Sequence, residues 1–359
     1  MKKICFIINS FSIGGIERVI ITLVNSLAKS QNVSLLVLKN TGESKETVNS
    51  NVNIIDCHNI RVKELNRPLR KYLQKDEPDY LITSIYPISI LAVIAIKQTK
   101  VKTKLVVTHH ALFDMENQKN FIFNFFILKL IKIFYNKAFI TLAVSKGVCD
   151  FLTGIGVTNV RIMYNPIDIG EKLKNSFVED TKAKTYGKYV LYLGRFAPVK
   201  NIDLIIKSFK KFVNQEQNRD FKLLLIGNGP EESRLKKLVE EYDITDVCFF
   251  LGSKTYPEAY IKNSELVLMA SFSEAMPVTV LEAFCFNVPI VSTPARGCLD
   301  IFNSLDYKYQ TNSFYDEEEY VSLMNILLIE KNSLTDLTRK VADNYGIESI
   351  TKHWNELLV

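Results

Sequence analysis

Tyr189-Val190-Leu191-Tyr192-Leu193-Gly194-Arg195-Phe196-Ala197-Pro198-Val199-Lys200-Asn201 is the stretch on which the architecture turns. Five apolar residues with the composition of a buried strand run into a Gly-Arg loop, and a segment of helical period follows from Asn201 to Phe212. The same order stands at the front of the chain, where Ile4 to Ile8 leads through Gly14-Gly15 into a helical pattern reaching Lys29. A pattern that starts twice predicts two α/β domains in series. The length of 359 residues agrees, being too great for one ordinary core. With 47% hydrophobic and 23% charged residues, disorder and a small binding module are both excluded.

Working outward from residue 189, further strands are expected at Phe221 to Ile226, Val247 to Phe250, Leu266 to Met269 and Ile290 to Ser292. Helices are expected at Glu231 to Tyr242, Pro257 to Lys262 and Pro277 to Phe286, with three more near Glu317 to Leu328, Ser333 to Asp343 and Ile347 to Leu358. In the first half the strands read Ile4 to Ile8, Val33 to Leu38, Val52 to Ile55, Tyr80 to Thr83, Lys104 to Thr108, Phe139 to Val144 and Arg161 to Met163. Helical crossovers between them make a parallel sheet covered on both faces. After Asn165-Pro166 the chain turns charged and poor in large apolar residues from Asp168 to Lys188, which sets the boundary. Residues 1–168 are therefore one Rossmann-like domain and 169–340 a second, with a helical segment at 341–359 returning toward the first. Two such domains facing across a cleft would bind ligands outside the carboxyl ends of their strands.

Charge is uneven. Residues 1–168 carry 22 Lys and Arg against 12 Asp and Glu, whereas residues 169–359 carry 23 against 27. The basic half either suits an anionic partner or is a solvated surface. Cys5, Cys57, Cys149, Cys248, Cys285 and Cys298 are scattered with no CxxC pair, which argues against a metal site and against disulfides. The apolar run after Lys2-Lys3 stops at Asn9-Ser10 without a small-residue cleavage site, so the protein reads as cytoplasmic.

Three stretches carry chemistry. In Ser12-Ile13-Gly14-Gly15-Ile16-Glu17-Arg18 the paired glycines let backbone N–H groups approach an anion at a helix start, or else form a plain tight turn; the spacing is not GxGxxG. Arg195, just past a strand end, and Lys200, close to the next helix, can reach one spot that fits a diphosphate, or both are solvated. In Ser271-Phe272-Ser273-Glu274-Ala275-Met276-Pro277-Val278-Thr279-Val280-Leu281-Glu282-Ala283-Phe284, Pro277 is placed as first helical residue. Glu274 then sits in the loop, Glu282 on the helix, and the N–H groups of Val278 and Thr279 at its positive end. Carboxylates bond sugar and ribose hydroxyls well, although Glu282 taken alone would read as a surface glutamate.

Together these residues resemble the retaining GT-B glycosyltransferases of glycosyltransferase family 4. The likeness rests on Glu274, seven residues, Glu282, then Phe286-Asn287-Val288-Pro289-Ile290-Val291, in the setting of Gly194-Arg195 and Lys200. Ala143-Val144-Ser145-Lys146, Tyr164-Asn165-Pro166-Ile167-Asp168 and Leu225-Ile226-Gly227-Asn228-Gly229-Pro230 support it. The resemblance implies that Gly14 and Gly15, with Gly227 and Asn228, line the donor site. It further implies that Arg195 and Lys200 neutralise the diphosphate, Glu282 holds the ribose and Glu274 bonds the transferred sugar. His109, or its neighbour His110, would stand near sugar and acceptor. Ala275 and Met276 depart from the Gly and large aromatic usual after the first glutamate.

The expected activity is a hexosyltransferase-type, retaining transfer from a nucleotide-sugar, UDP-linked in many relatives, to a glycan or lipid-linked oligosaccharide in bacterial surface polysaccharide synthesis. No Asp-x-Asp occurs, so no cofactor and no metal are expected beyond the donor itself, and leaving-group charge falls to Arg195, Lys200 and helix ends. A non-catalytic relative serving another transferase is the alternative; a nicotinamide oxidoreductase lacks its fingerprint, and nucleic acid is not an expected partner. Phe121 to Asn136 is too short and too charged to span a bilayer. It either lies at an anionic membrane surface, making the protein peripheral on the inner face of the cytoplasmic membrane, or is buried with its lysines snorkelling.

Overall fold

The computed structural model describes residues 1–12, 14–112, 121–331, 334 and 336–358, with the backbone alone at 121–123. The chain forms two compact units, Met1–Ile167 with Tyr345–Val359, and Asp168–Asn344.

In the first unit the strands are β1 (Lys3–Ser10), β2 (Asn32–Lys39), β3 (Asn53–Asp56), β4 (Tyr80–Thr83), β5 (Lys104–His109), β6 (Ile140–Ala143) and β7 (Val160–Ile162). Between them run α1 (Gly15–Leu27), α2 (Asn66–Asp76), α3 (Tyr86–Thr99), α4 (Phe121–Tyr135) and α5 (Lys146–Gly154). All pairings are parallel and the order is β3-β2-β1-β4-β5-β6-β7. Ile4 to Ile8, Leu35 to Leu38 and all four residues of β6 are buried, as unbroken apolar runs must be when helices cover both faces. Ser145 opens α5 by accepting the Val148 N–H at 3.3 Å, which satisfies one of the orphan donors of the first turn.

The second unit begins with α6 (Ile169–Asn175) and α7 (Asp180–Lys184), followed by β8 (Tyr189–Leu193), α8 (Ile202–Val213), β9 (Lys222–Ile226), α9 (Glu232–Glu241) and β10 (Cys248–Gly252). It continues through α10 (Glu258–Lys262), β11 (Leu266–Met269), α11 (Val278–Phe284), β12 (Ile290–Ser292), α12 (Arg296–Ser304), α13 (Glu317–Glu330) and α14 (Leu337–Tyr345). The order is β10-β9-β8-β11-β12, again all parallel. Each sheet thus reverses its winding beside its first strand, between β1 and β4 and between β8 and β11, which opens a crevice at the carboxyl ends of those strands. The helix expected from Ser333 starts on residues outside those described; its described part is α14.

The last helix, α15 (Ile347–Leu357), packs on α1 in the first unit. Trp354 lies 6.1 Å from Phe6 between ring centroids, Gln31 donates to Asn355 at 3.1 Å, and Thr351 to Ser26 at 2.8 Å. Around α4 burial divides cleanly. Ile127, Leu128, Ile131 and Tyr135 face the core, whereas Phe125, Phe126, Leu130 and Ile133 are 42 to 59% exposed among exposed Lys129, Lys132 and Lys137. Among the described residues no helix is long and apolar enough to cross a membrane.

Candidate active site

The crevice of the second unit is built by three loops that leave the carboxyl ends of β8, β9 and β11. The Gly194 N–H donates to the Ile226 carbonyl at 3.0 Å, and the Phe196 N–H to that of Asn228 at 2.7 Å. Gly227, with φ of +145°, lies so close that any side chain there would strike the Gly194 carbonyl. The Tyr192 hydroxyl donates to the Arg195 carbonyl at 2.9 Å and fixes the turn that presents Arg195. The Arg195 side chain is exposed and makes no ion pair among the described residues. Its charge is available.

Pro198–Lys200 forms one tight turn, and the Phe272 N–H donates to the Val199 carbonyl at 2.9 Å, drawing the loop after β11 alongside. Lys200 Nζ then lies 2.5 Å from Glu274 Oε1, which also accepts the Ser271 hydroxyl at 2.7 Å. The Gly297 N–H donates to the Glu274 carbonyl at 2.9 Å, and a Cβ on Gly297 would come within 2.5 Å of that oxygen, so only glycine lets α12 approach the loop this closely. Pro277 is the cap of α11 and not its first residue, because its ψ of 112° is still extended; Val278 and Thr279 form the first turn. With seven residues α11 is short, and the positive charge on this edge is carried chiefly by side chains.

Glu282, expected to hold the ribose and reading as a surface glutamate only when taken by itself, is buried. Its Oε1 accepts Lys172 Nζ at 2.7 Å, and the same ammonium donates to Glu258 Oε1 at 2.9 Å. Sequence reasoning missed both Lys172 and Glu258. Lys172 lies in the charged stretch read as a boundary, and its partners stand 110 and 86 residues away, so no local spacing pointed to them.

In the first unit Gly14 caps α1 and Gly15 is its first residue. The Glu17 carboxylate occupies the space a Gly14 side chain would take, and burial raises its pKa. This carboxyl therefore already sits at the helix end where an external anion was expected. His109, at the end of β5, turns inward: Nδ1 is 3.1 Å from the Tyr135 hydroxyl and the ring stacks at 6.4 Å on Phe151. Burial pushes its pKa down to about 4. His110 points to the opposite side, as successive residues of an extended chain do. Its Nε2 is 3.0 Å from Thr108 Oγ1, which donates to Ser84 Oγ at 2.7 Å, and it lines a pocket with Met163, Tyr164 and Trp354. Burial, and next the charge of His109, lower its pKa as well.

The structure thus pairs Lys200 with Glu274 and holds the Gly227-Asn228 turn against the loop of Gly194, Arg195 and Phe196, while Val278, Thr279 and Glu282 follow on α11; Gly14, Gly15, His109 and His110 belong to the first unit. Among the described residues no three His, Cys, Asp or Glu side chains cluster so as to hold a metal ion.

Two family models match the chain. Residues 13–171 match Glycosyltransferase Family 4, and residues 174–344 match Glycosyl transferases group 1. An N-acetylgalactosaminyltransferase of Campylobacter jejuni, named for a diphospho-undecaprenol-linked saccharide, is 26% identical over 86% of this chain and 85% of its own. The amylovoran biosynthesis glycosyltransferase AmsD of Erwinia amylovora is 25% identical over the full length of both. The structure of Anabaena Alr3699/HepE in complex with UDP-glucose superposes with a TM-score of 0.81 at 16% identity, covering 100% of this chain and 99% of that one. Two parallel-sheet α/β units of this topology, matched end to end in this way, define a GT-B glycosyltransferase. The chain belongs to the group 1 and family 4 glycosyltransferases.

Proposed function

We propose that the protein transfers a hexose from a UDP-sugar, with retention at the anomeric carbon and without a metal ion, to a glycan or lipid-linked oligosaccharide of a bacterial surface polysaccharide. The observation that carries this reading is the pairing of Lys200 with Glu274 at the crevice beside β8 and β11, with exposed Arg195 on the same loop as Lys200 and Glu282 on the adjoining helix. Arg195 and Lys200 meet the charge that grows on the diphosphate as the bond from the sugar C1 to phosphate oxygen breaks. Glu274 accepts hydroxyls of the sugar and Glu282 those of the ribose. In a same-face attack the acceptor hydroxyl bonds to C1 and its proton passes to the departing phosphate. The family resemblance supports that stereochemistry, and the UDP-glucose held by the Anabaena protein supports the nucleotide. His109 is held in the core against Tyr135 and Phe151, which leaves half-buried His110 as the better candidate of the two to meet an acceptor.

A lipid-linked acceptor is supported by the name of the C. jejuni relative and by the outer face of α4, where exposed aromatics alternate with lysines. Such a face suits an anionic bilayer surface, with apolar groups at the headgroup boundary and ammonium groups on lipid phosphates. The enzyme would then work peripherally on the cytoplasmic face of the membrane.

The test is a panel of UDP- and GDP-sugars, read by donor hydrolysis and by protection against thermal unfolding, with and without EDTA. One UDP-sugar should stand out, and EDTA should leave the rate unchanged. Selective use of a GDP-sugar overturns the nucleotide, loss of rate in EDTA overturns metal independence, and no hydrolysis or protection by any donor overturns the reading.

A further inference from the structure

Lys172, Glu258 and Glu282 meet from three separate helices, α6, α10 and α11, at 2.7 and 2.9 Å, and their side chains retain only 14, 2 and 5% of their exposure. Folding alone gives little reason for this arrangement, because well-packed apolar side chains of similar volume serve stability as well as a buried ionic cluster does. Lys172 also falls in the two-residue gap between the stretches that the family models match. We propose that Lys172 is a positioning residue for the nucleotide ribose, acting through Glu282; this rests on the reading of Glu282 as the ribose acceptor.

The chemistry is direct. A carboxylate withdrawn from water loses the hydration that favours its ionised form, and a neutral acid accepts hydrogen bonds more weakly than an anion. The ammonium at Oε1 restores that balance and fixes the carboxylate plane, taking one of about four acceptor positions that the group offers. Glu258 holds the ammonium from its other side, so Lys172 is clamped between two helices and cannot swing out with its long stem. Pro257 caps α10 immediately before Glu258, and Asp168 caps α6 by accepting the Glu171 N–H at 2.9 Å. The lysine and one arm of the clamp therefore both start near capped helix ends.

The test compares the affinities of UDP and 2′,3′-dideoxy-UDP by isothermal titration calorimetry. The wild-type protein should prefer UDP by about tenfold or more, the worth of hydrogen bonds to a charged acceptor. Lys172→Met should bring the ratio toward one while kcat at saturating donor changes by no more than a few-fold, and Lys172→Arg should keep most of the preference. Should Lys172→Met fail to fold, Lys172→Met combined with Glu258→Gln removes the cation together with one carboxylate, leaves the cluster's net charge as it was, and should show the same lost preference. A folded variant lacking Lys172 that still discriminates like the wild type overturns the proposal, since a purely structural lysine would lower stability without moving the ratio. Discrimination that survives in Glu282→Gln, or is absent from the wild type, overturns the ribose reading itself and the proposal with it.

Discussion

Lys200 and Glu274 form an ion pair at 2.5 Å, so on the proposed reading a donor entering the crevice draws the ammonium toward phosphate while the carboxylate turns to sugar hydroxyls. Glu274→Ala would remove the proposed sugar contact and release Lys200 from its ion pair. Transfer should fall by about a hundredfold or more, whereas free UDP should bind as well as before or more tightly; equal loss of transfer and UDP affinity would assign Glu274 to the nucleotide instead. A second expectation concerns acid. The folded pKa of His109 lies at about 4, below the ordinary 6.5, so its contribution to stability is complete above that ordinary value and is lost as pH falls toward 4. The full loss is about 3 kcal/mol, and urea unfolding at pH 7 and 4.5 should show a shallower dependence in His109→Gln. Glu274 and Glu282 could be singled out as candidates because both lie on one short stretch with a proline between them. The two histidines were not separable, since adjacent residues of a strand face opposite ways and only the surrounding helices decide which face is core.

The strands were legible almost to the residue, because parallel strands covered on both faces must be continuous apolar runs. Tyr80–Thr83, Leu266–Met269 and Ile290–Ser292 match the runs read from sequence. Their order across the sheet was not legible, being fixed by which helices cover which face. Helix α4 shows the same limit: its sequence is apolar nearly all round, and only the folded unit separates Ile131, fully buried, from Phe126 and Ile133, which face outward. Ile131→Ala should therefore cost about 2 to 5 kcal/mol in urea unfolding. Phe126→Ser with Ile133→Ser should change stability little yet weaken flotation with anionic vesicles. Flotation should itself decline with salt and be weak on zwitterionic lipid; binding indifferent to lipid charge would remove α4 as a lipid-facing surface.

Each unit carries its own sheet, crevice and share of charge, the first basic and the second acidic. The chain's single tryptophan reports on one of them alone. Trp354, on α15, is buried against Phe6 in the core of the first unit. Trp354→Ala should destabilise that unit by about 3 to 5 kcal/mol, lowering the transition seen by circular dichroism while UDP binding to the second unit persists. The duplicated α/β pattern was readable from two apolar runs that each lead into a glycine turn. The Lys172 cluster was not, since folding alone joins residues so far apart in the chain. The proposed chemistry as a whole depends on Arg195 and Lys200 gripping a diphosphate, and calorimetric titration of UDP and uridine into wild type and the Arg195→Ala, Lys200→Ala double variant tests that grip directly. UDP affinity should fall about a hundredfold in the variant with uridine affinity unchanged; equal UDP affinity in the two proteins would contradict it.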